Sequence, residues 1–137
     1  MEKGRSDCPI NMALEVFGDR WSLLIIRDIM FAGKRNFRDL LQSDEKIASN
    51  ILTDRLGRLE EEGIVTKTKD PEHKQKLTYS LTAKGIDLLP ILAEMGSWSL
   101  KHKNVDEKKY KQEKALVKGG KEMQKQIMKS LSKEHLK

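Results

Sequence analysis

At 137 residues with a formal net charge of +6, the chain has the size of one domain with an appendage and can bury one modest core. Charged residues make up 35% and aromatic residues 5%. The longest apolar stretch, 21–32, is interrupted by Ser22, Arg27 and Asp28, short of the ~18 apolar residues that a membrane span needs.

Residues 9–17 read as a first helix. Proline suits its first turn, and Ile10, Ala13, Leu14 and Phe17 form one apolar stripe. Gly18 is a natural stop. Asp19 can cap a second helix running to about 32, apolar on most faces and therefore buried on several sides. After Gly33, residues 34–36 form a short polar connection able to make a brief strand. A short third helix is expected over 37–42 with Phe37, Leu40 and Leu41 inward, then a polar turn at 43–46. A fourth helix over 48–62 carries Leu52, Leu56 and Leu59 as its core seam, and Gly63 ends it. The period then becomes strand-like over 64–69 and 76–81, around a charged turn at 70–75. Thr82 caps a fifth helix to about 103, which Pro90 should kink. Leu116, Met123, Ile127 and Leu131 suggest a further amphipathic helix around Gly119-Gly120.

Helix, helix, short helix, helix and hairpin in that order describe a winged helix-turn-helix, a mainly α fold with a small β-hairpin wing. Residues 1–104 form this domain with its dimerisation helices. Residues 105–137 form a lysine-rich helical extension. With the leucines of the fourth helix inward, Asn50, Asp54, Gly57 and Glu61 point outward, flanked by Ser49 and Thr53 on one side and Arg58 on the other. Short polar side chains of this kind hydrogen-bond base edges, and a helix N-terminus favours phosphate. Glu60, Glu61 and Glu62 crowd the other end, so the N-terminal end is the one expected in a major groove. His73, Lys74 and Lys76 cluster at the hairpin tip, with Arg35 and Arg38 beside the third helix. Together they make a basic footprint around one polar helix.

The charge is unevenly placed. Residues 105–137 hold ten lysines against five acidic residues, whereas the remainder holds 17 basic against 16 acidic. A DNA reading therefore rests on where charges sit, not on their sum. The single cysteine, Cys8, excludes an internal disulfide and a cysteine-based zinc site. The three histidines lack metal-ligand spacing, and there is no Gly-rich phosphate loop or nucleophile elbow. No cofactor, metal or enzymatic activity is expected. The polar start, 1–7, lacks the apolar stretch of a signal peptide, so the expected compartment is the cytoplasm.

The chain resembles the HxlR-type winged-helix regulators of bacteria and archaea over roughly 8–103. The resemblance is carried by Cys8-Pro9, the Gly-Asp-Arg-Trp stretch at 18–21, Asn36-Phe37-Arg38-Asp39-Leu40 and Ile51-Leu52-Thr53-Asp54-Arg55-Leu56. It continues through 59–65, 79–85 and Trp98. It implies a cytoplasmic, dimeric, DNA-binding protein. Two positions depart from the family pattern. Asn36 stands where an arginine usually precedes the phenylalanine, with Arg35 one place earlier, and Asp19-Arg20-Trp21 stands for the common Gly-Lys-Trp.

The fifth helix carries an apolar stripe too wide for one small domain to cover, including Leu88, Ile91, Leu92, Met95 and Trp98. A symmetric dimer through this helix and the first, at Ile10, is the expected answer. Two half-sites about one helical turn apart would follow. In the family, a cysteine at the place of Cys8 is the sensor of several redox-responsive members. A helix N-terminus favours its thiolate, while the neighbouring Asp7 opposes it. Two other readings fit the same pattern: a winged-helix protein-interaction module that never touches DNA, and a small-molecule-binding protein using the dimer cleft.

Overall fold

The computed structural model describes residues 4–136 except Lys74. It divides into two compact units, Met1–Thr82 and Ala83–Lys137.

The first unit holds α1 (Pro9–Phe17), α2 (Arg20–Phe31), α3 (Phe37–Leu40), α4 (Ser49–Glu61), β1 (Val65–Lys69) and β2 (Leu77–Leu81). Its strands pair antiparallel, Val65 with Leu81 through Lys69 with Leu77. This is the expected winged helix-turn-helix. Its core is built from Ile25, Ile26 and Ile29 of α2, Leu40, the Leu52-Leu56-Leu59 seam of α4, and Ile64, Val65, Tyr79 and Leu81 at the base of the hairpin. α2 packs on α4, and both pack on the hairpin. The wide apolar wheel of α2 thus finds burial on several sides.

The helix starts follow local chemistry. The Asp19 carboxylate accepts from the Ser22 amide at 3.1 Å and from its hydroxyl at 2.7 Å, capping α2. The Asn36 carbonyl accepts from the Asp39 amide, and its amide donates back to the Asp39 carboxylate, both at 2.9 Å. That reciprocal cap accounts for asparagine at the start of α3. α4 ends where Gly63 takes φ +74, a left-handed conformation that glycine adopts without cost. There the Thr82 hydroxyl donates to the Gly63 carbonyl.

Arg27 of α2 clamps the α3–α4 turn. Its guanidinium donates to both oxygens of Glu45, at 2.8 and 2.7 Å, and to Asp28 at 2.8 Å. Hydrogen bonding from Arg27 outweighs burial and holds the Glu45 carboxyl below its ordinary range.

The second unit holds α5 (Ala83–Ile86), α6 (Leu89–His102) and α7 (Lys111–His135). The single helix expected over 82–103 is two. The Leu88 amide donates back only three residues, to Gly85, at 3.1 Å. Pro90 lies in the first turn of α6, where its missing N–H costs nothing, so it starts a helix instead of kinking one. α3 is shorter than expected, ending at Leu40, where a turn follows. α7 packs on α6 and α5. Leu89, Ala93, Leu116 and Leu131 are buried. Gly96 of α6 leaves only 3.4 Å between the place of a Cβ and Val117, so α7 approaches α6 closely there.

Candidate nucleic-acid interface

α4 presents the expected surface. Ser49, Asn50, Thr53, Asp54, Gly57 and Arg58 are all exposed, while Leu52, Leu56 and Leu59 are buried. The helix begins at Ala48 without a side-chain cap, which leaves its first amides open to an incoming acceptor. The Thr53 hydroxyl donates to the Ser49 carbonyl one turn back, at 2.9 Å. Asp54, the acid nearest the N-terminal end of this face, is partly neutralised by Arg55 at 2.5 Å and Arg58 at 3.9 Å.

The neighbour Arg55 escaped the sequence reading. It is half-buried and donates from Nε to the Asp19 carboxylate at 2.8 Å. Burial opposes ionisation of Asp19, but hydrogen bonds from Ser22 and Arg55 outweigh it and bring that carboxyl down to about 2. Nothing in the local sequence signals a pair 36 residues apart.

The hairpin tip is ordered by Asp70, whose Oδ1 accepts from the amides of Glu72 at 2.8 Å and His73 at 3.2 Å. Those amides hold the Asp70 carboxyl below its ordinary value. The Lys76 amide donates to the His73 carbonyl at 2.8 Å, leaving both side chains exposed. Lys74 lies outside the described residues. Lys67 sits 3.5 Å from Glu60, which ties the hairpin to the acidic end of α4. One groove is lined by Asn36, Arg38 and Asp39 from α3 and by His73, Gln75 and Lys76 from the hairpin, over an apolar floor of Phe37, Leu77 and Tyr79. Arg38 beside α3 and the basic side chains of the hairpin tip, His73 and Lys76, thus share one surface.

Arg35 is placed differently from Arg38. Its backbone carbonyl accepts from the Tyr79 amide at 2.7 Å, so the 34–36 connection docks on β2 without becoming a strand. Its guanidinium donates to the Tyr79 carbonyl at 3.1 Å and to the Ser80 hydroxyl. Arg35 therefore braces the hairpin, whereas Arg38 is exposed.

The expected dimer stripe is mostly open. Ile91, Met95 and Trp98 recur on one face of α6 and are 38%, 52% and 56% exposed. His102 continues the row, with its ring 5.2 Å from that of Trp98. Leu92 is half-buried. Leu88 is 7% exposed and belongs to the core, because the break before α6 turns it inward. On α1, Ile10, Met12 and Leu14 are exposed.

Cys8 is exposed and occupies the N-cap position of α1. The amides of Asn11 and Ile10 lower its thiol from the ordinary value. Among the described residues, no cluster of His, Cys, Asp and Glu could hold a metal ion, and no helix is long and apolar enough to cross a membrane.

The family model of the HxlR-like helix-turn-helix matches residues 16–108. An HTH-type transcriptional regulator of Synechocystis sp. is 35% identical over 88 residues, 64% of this chain and 64% of that one. YodB, an HTH-type transcriptional regulator of Bacillus subtilis, is 33% identical over 97 residues, 70% of this chain and 86% of its own. The reduced form of YodB superposes with a TM-score of 0.58 at 30% identity, covering 71% of this chain and 95% of YodB. YodB has also been solved diamide-treated and quinone-bound. The redox regulator HypR in its oxidised form gives a TM-score of 0.59 at 33% identity, covering 72% of this chain and all of HypR.

Proposed function

The chain belongs to the HxlR-like helix-turn-helix family and is a transcription regulator, and we propose that it reads duplex DNA as a homodimer, one α4 per half-site. The observation that carries this reading is the exposed, uncapped N-terminal half of α4. Asn50 reads a base edge, Ser49 and Thr53 support it, and Arg38, Arg58, His73, Lys74 and Lys76 contact phosphates. Arg35 acts by holding the hairpin that carries three of them. Residues 1–104 supply reading and dimerisation, with 105–137 as an extension. Such a regulator works in the cytoplasm and carries out no catalysis.

The exposed apolar rows of α1 and α6 support the dimer, because monomers seldom leave so many large apolar side chains in water. Two half-sites about 34–36 Å apart follow from two-fold symmetry. Exposed and thiolate-favouring, Cys8 supports a sensing role. Its oxidation or alkylation by an electrophile shifts the dimer and with it DNA affinity. The relatives solved in reduced, oxidised or quinone-bound forms favour this reading.

The test is an anisotropy titration with duplex from the region upstream of the protein's own gene, at two salt concentrations. Phosphate contacts make log affinity fall with log salt at a slope of about −0.9 per contact. Asn50→Ala should weaken binding to that duplex by about 1–3 kcal/mol and binding to random duplex far less. Salt-insensitive or absent binding would favour an interaction module that never touches DNA.

A further inference from the structure

The extension beyond the matched family region carries a surface of its own. After the break at Gly120, which takes φ +62 and ψ −157, α7 runs uninterrupted to His135. That conformation is available essentially only to glycine. In this half, two rows recur every four residues. Met123, Ile127, Leu131 and His135 are half-buried or buried, and Lys121, Lys125, Lys129 and Lys133 are all exposed. The rows are offset by two residues, hence about 200° apart on the helix. Among the described residues, none of the four lysines is in an ion pair. Two glutamates, Glu122 and Glu134, share this half.

Like charges four residues apart destabilise a helix. A row of four therefore works against the segment it decorates, and only the packed apolar row offsets it. The lysines span about 18 Å at 1.5 Å per residue. A duplex placed along them presents one phosphate charge per about 1.7 Å, roughly ten over that length. A lipid surface fits less well. A helix lying in a bilayer interface needs its apolar face free to insert, and here that face is turned inward. The basic character continues ahead of the break, where Lys108, just before α7, and Lys111, Lys114 and Lys118 of its first half line a shallow groove, although Lys114 is engaged by Glu107 at 2.6 Å.

We propose that the Lys121-Lys125-Lys129-Lys133 row is a second, sequence-independent contact for the phosphate backbone of duplex DNA. It adds affinity without adding discrimination, since phosphates are alike in every sequence. This rests on the DNA-binding reading above.

The experiment compares the full chain with K121Q/K125Q/K129Q/K133Q by anisotropy, on upstream-region duplex and on random duplex of equal length, from 50 to 200 mM salt. Lysine to glutamine keeps helix propensity and removes the repulsion, so the variant should fold with an equal or higher Tm. The slope of log affinity on log salt should become shallower by up to about 3.6. The loss of affinity between the two salt limits should shrink by up to about 150-fold. Affinity should fall equally on both duplexes, and the four-arginine variant should restore it. An unchanged slope, with the parent chain still binding, would overturn the proposal alone. So would a loss confined to upstream duplex, or capture of the parent chain by phosphatidylserine vesicles with the DNA slope unmoved. Failure of the parent chain to bind either duplex would overturn the DNA-binding reading as well.

Discussion

Arg55 Nε donates to Asp19 Oδ2 at 2.8 Å, so the carboxylate that caps α2 also holds the middle of α4. One side chain thereby sets both the start of the buried helix and the seating of the exposed one. Asp19→Ala should lower stability by about 1–2 kcal/mol, from the lost cap and the exposed-side ion pair together. The Asp19 carboxyl lies near 2 in the folded chain and near 3.9 when unfolded. Its contribution is therefore full above about pH 4 and is lost as pH falls toward 2. Thermal melts of the parent chain and Asp19→Ala should converge over that window. Curves that stay equally separated down to pH 2 would remove Asp19 from the acid response.

Arg35 and Arg38 are three residues apart in sequence and separate in role. Arg35→Met removes the donors that reach the Tyr79 carbonyl and the Ser80 hydroxyl. It should cost about 1–3 kcal/mol of stability, read in denaturant melts. Arg38→Ala, fully on the surface, should stay within about 0.5 kcal/mol and flatten the salt dependence of DNA binding by about 0.9. The reverse pattern would exchange the two roles.

Gly57 lies in the interior of α4, and a Cβ built there meets nothing within 4 Å. Packing does not require glycine at this position. Gly57→Ala should raise stability by about 1 kcal/mol. If the open space is where the duplex approaches, the same variant should bind DNA less well while melting higher. Unchanged DNA affinity would show that the space is merely solvent.

The elements most legible in the sequence were those whose signal is local. Asp19 and Gly63 mark helix ends by their own chemistry. The leucine spacing of α4 states its buried face, and the change of period at 64 marks the hairpin. What escaped depends on partners distant in the chain. Arg35 looks like a free cation until β2, 44 residues on, is folded against it, and Arg55 looks like another surface charge until Asp19 arrives. Leu88 reads as part of an open stripe as long as one helix runs continuously through Pro90. Once the break falls before α6, the same residue turns inward. The four-residue lysine spacing in α7 is plain in the sequence, but the burial of the alternate row depends on α5 and α6 packing against it.

Met95 and Trp98 of α6 touch water over half their surface, so changing them should cost a lone chain little. In a homodimer they become interface core. Met95→Glu/Trp98→Glu should leave the far-ultraviolet spectrum of the chain intact and shift its sedimentation from twice the chain mass to the chain mass. DNA affinity should fall with it, because a monomer engages one half-site. A parent chain that sediments as a monomer at micromolar concentration would end the dimer reading.

Cys8 combines exposure with a position at the start of α1, where the amides of Asn11 and Ile10 stabilise the thiolate over the thiol. The thiolate is the nucleophile, so a lowered thiol value means faster reaction near neutral pH. The rate of alkylation by iodoacetamide, followed against pH, should have its midpoint below that of the same chain unfolded in denaturant, where the amides of Asn11 and Ile10 no longer face the thiol. Treatment with diamide or a quinone should change DNA affinity in the parent chain and leave Cys8→Ser unaffected. The serine variant should match the untreated parent, since serine at this N-cap position keeps an oxygen acceptor for the same amides. If parent and variant respond alike to oxidant, or neither responds, Cys8 is an inert surface thiol and the sensing proposal falls. The winged-helix reading would be untouched.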